Sequence, residues 1–460
     1  MRSPGRKILF LLLAVVLLLQ PAGNVNAEED SVLGGEMTEE EILAEEEEEK
    51  QESYGVVPDT NAWEGWAQGP NVYGASAIVM DMKTHTVLYG KKIDEQHYPA
   101  SITKLLTTLV ALENAQLSDN VTFSEDSVAF LEYGDASIGM TPGEILTLND
   151  ALYGLLLASA NEVAYAVAEN VGENMGGDYS TFIREMNRRS QELGCTGSHW
   201  VNANGLHDEE HYTTAYDMAL IASEVYQREE FLTIMQSLSY TIPPTNLVDE
   251  ERVVYQNHKM LWPENYYYDA SCTGGKTGYT DQAKTTLVTM SDNGDMQLAA
   301  VVLYDYGTTS YDDTRAMLDY AFANFSRLSL EPQDLPEEAE ALEGEAFVTV
   351  PNDVEISDLE KEITITEEAL RTGIVTYRYH GHTVGSVAVT LTQEYVDSRT
   401  KEPEQDTEET QEKTQEKRKE DPALARVTEI LVIAAAAVVL LAAVWIAVKK
   451  RQRRRRHRRK

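Results

Sequence analysis

Two uninterrupted apolar runs bracket this chain and decide which part of it can fold as a globule. The first, Ile8 to Leu19, follows Arg2, Arg6 and Lys7 and is followed by Val25-Asn26-Ala27. A basic stretch, a short apolar stretch and a cleavage site form a secretory signal, so residues 1–27 are expected to leave and the mature chain to begin at Glu28. The second run, Ile430 to Val448, is nineteen residues without a charge, long enough to cross a bilayer. Lys449 to Lys460 holds ten Lys and Arg and no acid, which marks residues 449–460 as a cytoplasmic tail. The chain between the runs is therefore expected outside the cell membrane.

That outer segment is strongly acidic. The whole chain of 460 residues carries a net charge of −39, and ten of its basic residues sit in the tail. Such a surface repels nucleic acid and anionic headgroups, which excludes nucleic-acid binding. Two cysteines, Cys195 and Cys272, do not make a disulfide framework; a single bridge between them stays open. Residues 28–68 include five consecutive glutamates, Glu45 to Glu49, and read as an acidic disordered spacer, with order beginning near Gly69.

Ala75 to Asp81 and Thr84 to Gly90 read as strands joined by a tight turn. A helical middle follows. Leu105, Leu109 and Leu112 recur at helical spacing, widened by Leu106 and Val110. Leu148 to Glu169 is helical but interrupted at Ala158 to Asn161, Phe182 to Leu193 is helical, and Thr213-Thr214 caps a further helix. Tyr240 to Ile242 and Arg252 to Tyr255 read as short strands. Thr285 to Met290 and Met296 to Tyr304 are strands joined by Asp292-Asn293-Gly294, a hairpin signal, and Asp312 to Phe325 is a closing helix. Strands at both ends of a helical middle predict an α+β domain over 69–330, an antiparallel sheet covered by helices. A Glu- and Pro-rich linker is expected at 331–345, a small all-β domain at 346–395, a charged stalk at 396–429 and the transmembrane helix at 430–448.

The first candidate for chemistry is Tyr98-Pro99-Ala100-Ser101-Ile102-Thr103-Lys104. Pro99 suits a helix start, which puts Ser101 in the first turn and Lys104 one turn along the same face. A hydroxyl at a helix start beside a half-buried amine can become an activated nucleophile; the bland alternative is a cap and a surface lysine. Ser159-Ala160-Asn161 interrupts a helical hairpin, where a hydroxyl and an amide can relay protons and hold a peptide group. Gly274-Gly275-Lys276-Thr277-Gly278 opens a strand with a cation and a hydroxyl that suit an anionic group. The phosphate-loop frame is absent.

The three motifs, S-x-x-K, S-x-N and K-T-G, stand in the order known from penicillin-binding proteins and class A β-lactamases. The sequence resembles the low-molecular-mass penicillin-binding proteins, the serine-type D-alanyl-D-alanine carboxypeptidases. The resemblance extends to Asn202-Ala203-Asn204-Gly205-Leu206, to His211-Tyr212-Thr213-Thr214-Ala215 and to Lys276-Thr277-Gly278-Tyr279-Thr280. It implies a β-lactamase/transpeptidase-like fold, with Ser101 as nucleophile toward the terminal D-Ala-D-Ala bond of peptidoglycan pentapeptides and Lys104 as its base. It further implies Ser159 as proton relay, Asn161 as orienting amide and Lys276 as the charge that depresses Lys104. Thr277 is implied to hold the substrate carboxylate, with Gly278 and Tyr279 on the substrate-binding strand. The N–H groups of Ser101 and Tyr279 are implied to form the oxyanion hole. No metal or cofactor is implied; the stem peptide is the substrate, β-lactams are covalent inhibitors and the C-terminal helix is the membrane anchor of a bacterial wall enzyme. One departure stands out: Ser310 occupies the place where family members often carry an arginine for the carboxylate, and Arg315 lies over a turn further on.

The alternatives come from other classes. An endopeptidase acting on existing crosslinks uses the same machinery. A β-lactamase uses a glutamate in E-x-x-L-N, and no such string lies between Asn161 and Lys276. His207-Asp208-Glu209-Glu210-His211 matches the H-x-x-E-H zinc pattern, which requires a helix where the sequence reads as a polar loop. A non-catalytic wall-binding protein has no use for all of the motif side chains.

Overall fold

The computed structural model describes residues 38–400. The secretory signal, the transmembrane run, the basic tail and most of the stalk lie outside the described residues. Two compact units divide the chain at Ser326 and Arg327. Among the described residues no helix is long and apolar enough to cross a membrane.

The first unit is built on a five-stranded antiparallel sheet. Its spatial order is Val87–Lys91, Ser76–Asp81, Gln297–Asp305, Lys284–Asp292, Cys272–Thr280. The early hairpin thus joins the late strands in one sheet, with Val79 opposite Ala300 and Lys276 opposite Val288. Ser76–Asp81 is buried on both faces, which explains its nearly unbroken apolar run. The helical middle covers one face. Leu105, Leu106, Leu109 and Val110 of the helix Lys104–Asn114 share a core with Val163, Val167, Met218 and Ile221. The expected interruption at Ala158 to Asn161 separates the helices Leu148–Leu157 and Asn161–Asn174. Thr214 caps Ala215–Val225 by accepting from Asp217 N.

The acidic spacer is corrected. Glu39–Tyr54 is a helix, begun by a reciprocal capping box between Thr38 and Glu41. It is tied to the domain rather than left in water. Glu46 pairs with Lys284 at 2.6 Å, Tyr306 donates to Glu49 at 2.6 Å, and buried Lys91 donates to Ser53 O at 2.7 Å. Tyr54 stacks on Tyr73 with centroids 4.4 Å apart. Order also precedes Gly69, since Asp59–Ala62 is a 3-10 turn and Trp66 is buried. Composition marks the segment as solvated because the partners of Glu46 and Glu49 come from more than two hundred residues away.

The expected linker is also corrected. Pro332–Asp334 is a 3-10 turn, and Ala339–Leu342 is a strand paired with His382–Leu391. The second unit orders its larger sheet as Ala339–Leu342, His382–Leu391, Thr372–Tyr379, Glu360–Glu367. It ends in the helix Gln393–Thr400 rather than in strands alone. Alternation of Ala and Leu with Glu hides an edge strand inside an acidic stretch.

Candidate active site

Ala100–Thr103 forms a 3-10 turn, and the α-helix begins at Lys104. Ser101 therefore sits one tight turn earlier than expected. In a 3-10 turn, residues three apart eclipse one another, and Lys104 Nζ lies 2.9 Å from Ser101 Oγ. Two residues of the site hold left-handed backbone without being glycine: Ala100 at φ 52° and Ser159 at φ 62°. Each such residue costs on the order of 1–3 kcal/mol and persists only where its surroundings hold it.

Lys104 is fully buried. Besides Ser101, its amine meets Asn161 Oδ1 at 2.8 Å and Asn204 O at 2.6 Å. Burial first, and the charge of Lys276 second, hold this amine well below the ordinary lysine range; Glu162 and Asp135 oppose them. The amine thus lies within hydrogen-bond reach of three oxygens, the Ser101 hydroxyl and the carbonyls of Asn161 and Asn204.

Lys276 is buried too. It donates to Ser159 Oγ at 2.9 Å and to Thr277 O at 2.8 Å. Burial lowers it to about 7. Its strand, Cys272–Thr280, runs beside Ser101 so closely that a Cβ on Gly278 would lie 2.8 Å from Ser101 N. A side chain there would push the strand off the serine, so glycine is required for the approach. Glu162, next to Asn161, is buried and accepts from Ser137 Oγ at 2.7 Å and Ile138 N at 2.8 Å, which pins the loop at the pocket's lip.

An open pocket of about 800 Å³ exposes Ser101, Ser159, Asn161, Thr277, Gly278 and Tyr279 together. All eight sequence-selected site residues thus converge, Lys104 and Lys276 behind this wall and the other six on it. Ser310 does not face the pocket. It is buried and donates to Gly307 O at 3.0 Å, inside the first turn of its own helix. Arg315 donates to Tyr268 O. Thr285 does line the pocket, and its hydroxyl accepts from Gly307 N at 2.9 Å.

The two histidines of the zinc pattern diverge. His207 lines the pocket, edge-to-face with Tyr98, while His211 is buried and bonded to Thr103 Oγ1 at 2.8 Å. Among the described residues no group of three or more His, Cys, Asp or Glu side chains could hold a metal. Cys195 and Cys272 are both free, which closes the bridge left open. Burial pushes each thiol up to about 12. Sequence reasoning missed Asn204 as a ligand of Lys104, because it acts through its backbone carbonyl. It also missed Thr103, His211 and Glu162, whose partners are distant in the chain. Only the glycine after Asn204 signalled a backbone brought close.

Comparison with known proteins bears on this geometry. Residues 64–307 match the family model described as D-alanyl-D-alanine carboxypeptidase. The D-alanyl-D-alanine carboxypeptidase DacF of Bacillus subtilis is 31% identical over 263 residues, 54% of this chain and 62% of that protein. The D-alanyl-D-alanine carboxypeptidase DacC of Escherichia coli is 26% identical over 370 residues, 74% of this chain and 86% of that protein. The crystal structure of a D-alanyl-D-alanine carboxypeptidase from Mycobacterium tuberculosis superposes with a TM-score of 0.50 at 27% identity, covering 59% of this chain and 97% of that one.

Proposed function

The chain belongs to the D-alanyl-D-alanine carboxypeptidase family of serine hydrolases, and from that premise we propose that it removes the terminal D-alanine from peptidoglycan pentapeptides through an acyl-enzyme on Ser101. The observation that carries the assignment of roles is the setting of Lys104: buried, depressed, and held by Asn161 and Asn204 with its third position on Ser101 Oγ.

In this reading Ser101 Oγ attacks the carbonyl carbon of the penultimate D-alanine while Lys104 takes the hydroxyl proton. The developing oxyanion is met by the N–H groups of Ser101 and Tyr279, donors typically worth about 3–4 kcal/mol each. Ser159, bonded to Lys276, passes a proton to the departing amine and takes one from Lys104, which returns to the neutral amine; the C–N bond breaks and D-alanine leaves. Water then attacks the ester, Lys104 takes its proton and hands it to Ser101 Oγ as the acyl C–O bond breaks, and the shortened peptide is released. The substrate's terminal carboxylate is received by the hydroxyls of Thr277 and Thr285, with Lys276 buried behind them, in place of an arginine at position 310. β-Lactams acylate the same serine and leave slowly. Composition at 1–27 and 430–460 supports an exported, membrane-anchored enzyme whose catalytic unit faces the wall.

Mass spectrometry of pentapeptide muropeptides incubated with the full chain tests the reaction. Loss of one alanine is expected, and Ser101→Ala abolishes it. Cleavage of crosslinked dimers without trimming of pentapeptides assigns the chain to endopeptidase chemistry instead.

A further inference from the structure

The oxyanion hole attributed above to Ser101 has a support of its own. A peptide group is planar and trans, so the C=O of Ala100 and the N–H of Ser101 point in opposite directions along one rigid unit. Whatever fixes Ala100 O aims the Ser101 N–H. That carbonyl accepts from Thr103 Oγ1 at 2.8 Å. Thr103 Oγ1 in turn lies 2.8 Å from His211 Nε2, and His211 Nδ1 accepts from Val201 N at 3.1 Å.

The directions in this chain are forced. Val201 N–H can only donate, so Nδ1 carries no proton, and the neutral ring must carry its proton on Nε2. Burial lowers His211 to about 3, so the ring stays neutral at working pH. Nε2–H then donates to Thr103, which leaves the threonine proton for Ala100 O. The centre of the chain is buried: Thr103 is fully enclosed and His211 is 1% exposed. Four further contacts hold this turn and the helix that follows it. Thr286 Oγ1 donates to Pro99 O at 2.8 Å, Lys104 and Thr107 bond the carbonyls of Asn204 and Ala203, and Gly205 backs Ala100 so tightly that a Cβ there would lie 1.9 Å from Ala100 O. The left-handed φ of Ala100 is the strain such a clamp is needed to hold.

We propose that Thr103 and His211 are positioning residues of the reaction: His211, through the Thr103 hydroxyl, aims the Ser101 N–H into the oxyanion hole. This rests on the reading of Ser101 as the nucleophile. It gives a place to a histidine that stands in a formal H-x-x-E-H match but reads as part of a polar loop.

The test is stopped-flow acylation of the full chain by a fluorescent penicillin, separating the non-covalent affinity, the acylation rate constant and the labelled fraction. Thr103→Val keeps the shape and removes the hydroxyl; Thr103→Ser restores it. Thr103→Val is expected to slow acylation and deacylation alike by about 10- to 100-fold, below the about 10²- to 10³-fold loss of a whole oxyanion donor. Non-covalent affinity stays unchanged, and Thr103→Ser returns both rates to within about threefold of wild type. Wild-type rates in Thr103→Val overturn the proposal. So does a reduced labelled fraction with intact rate constants, which is the mark of a merely structural residue. Should Thr103→Val fail to fold, Thr103→Ala removes the same hydroxyl without a second methyl to place and carries the same expectations. Wild-type protein that takes no label overturns the nucleophile assignment itself and the clamp with it.

Discussion

The floor of the pocket and its open end are built on different terms. At the floor, Ser101, Lys104 and Asn161 are held by short bonds from three separate parts of the chain, and the amine has no exposure at all. At the open end Tyr279 is 63% exposed, Ser310 is turned into its own helix, and among the described residues no arginine lines the wall. The difference teaches where this enzyme fixes its geometry in advance. The groups assigned to proton transfer are bound and desolvated before substrate arrives; those assigned to carboxylate recognition are hydroxyls beside water.

That contrast can be broken from either end. The largest effect is expected at the floor: Lys104→Ala removes the proposed base and lowers acylation by about 10³-fold or more, read as the rate of penicillin labelling. Lys276→Met comes next. It removes the charge that helps depress Lys104, so the amine rises toward its ordinary range and stays protonated to higher pH. The acid limb of the pH–rate profile for kcat/KM then moves to higher pH, with a loss at pH 7 of about 10²-fold. A limb that stays in place removes Lys276 from the electrostatics of the base.

At the open end the effect is smaller. Thr277→Val is expected to lower kcat/KM for a D-Ala-D-Ala peptide by about 10-fold, the worth of one hydrogen bond to a charged group. A loss as large as that of Lys104→Ala would erase the distinction between floor and rim. The smallest effect belongs to the surface beyond the rim. Glu46→Gln breaks a half-exposed pair with Lys284, and exposed pairs contribute under about 1 kcal/mol. The expected shift in Tm is no more than about 2 °C, read by calorimetry.

Much of the site was legible because its residues are recognised by type and order. Ser101, Lys104, Ser159, Asn161, Lys276 and Thr277 stand in three short motifs, and each motif lands where a helix start, a helix break or a strand start was readable from local pattern. The early and late strands were legible for the same reason, since their apolar content and turn residues are local. The acidic helix was not: a run of glutamates reads as solvated until Lys284 and Tyr306 are known to stand beside it. The strand Ala339–Leu342 was lost to composition in the same way.

The sequence by itself determined which side chains are available for chemistry, because nucleophile, amine, amide and hydroxyl are properties of residue type. The tertiary structure decided their state. Burial and the approach of two lysines from distant segments depress Lys104, since the cost of a charge depends on what surrounds it and not on its neighbours in the chain. Likewise, nothing in the string His207 to His211 says that one imidazole faces the pocket and the other is buried against Thr103. Only the fold brings Ala100, Thr103, Val201 and His211 within hydrogen-bond reach, because hydrogen bonds act over about 3 Å whatever the separation in sequence.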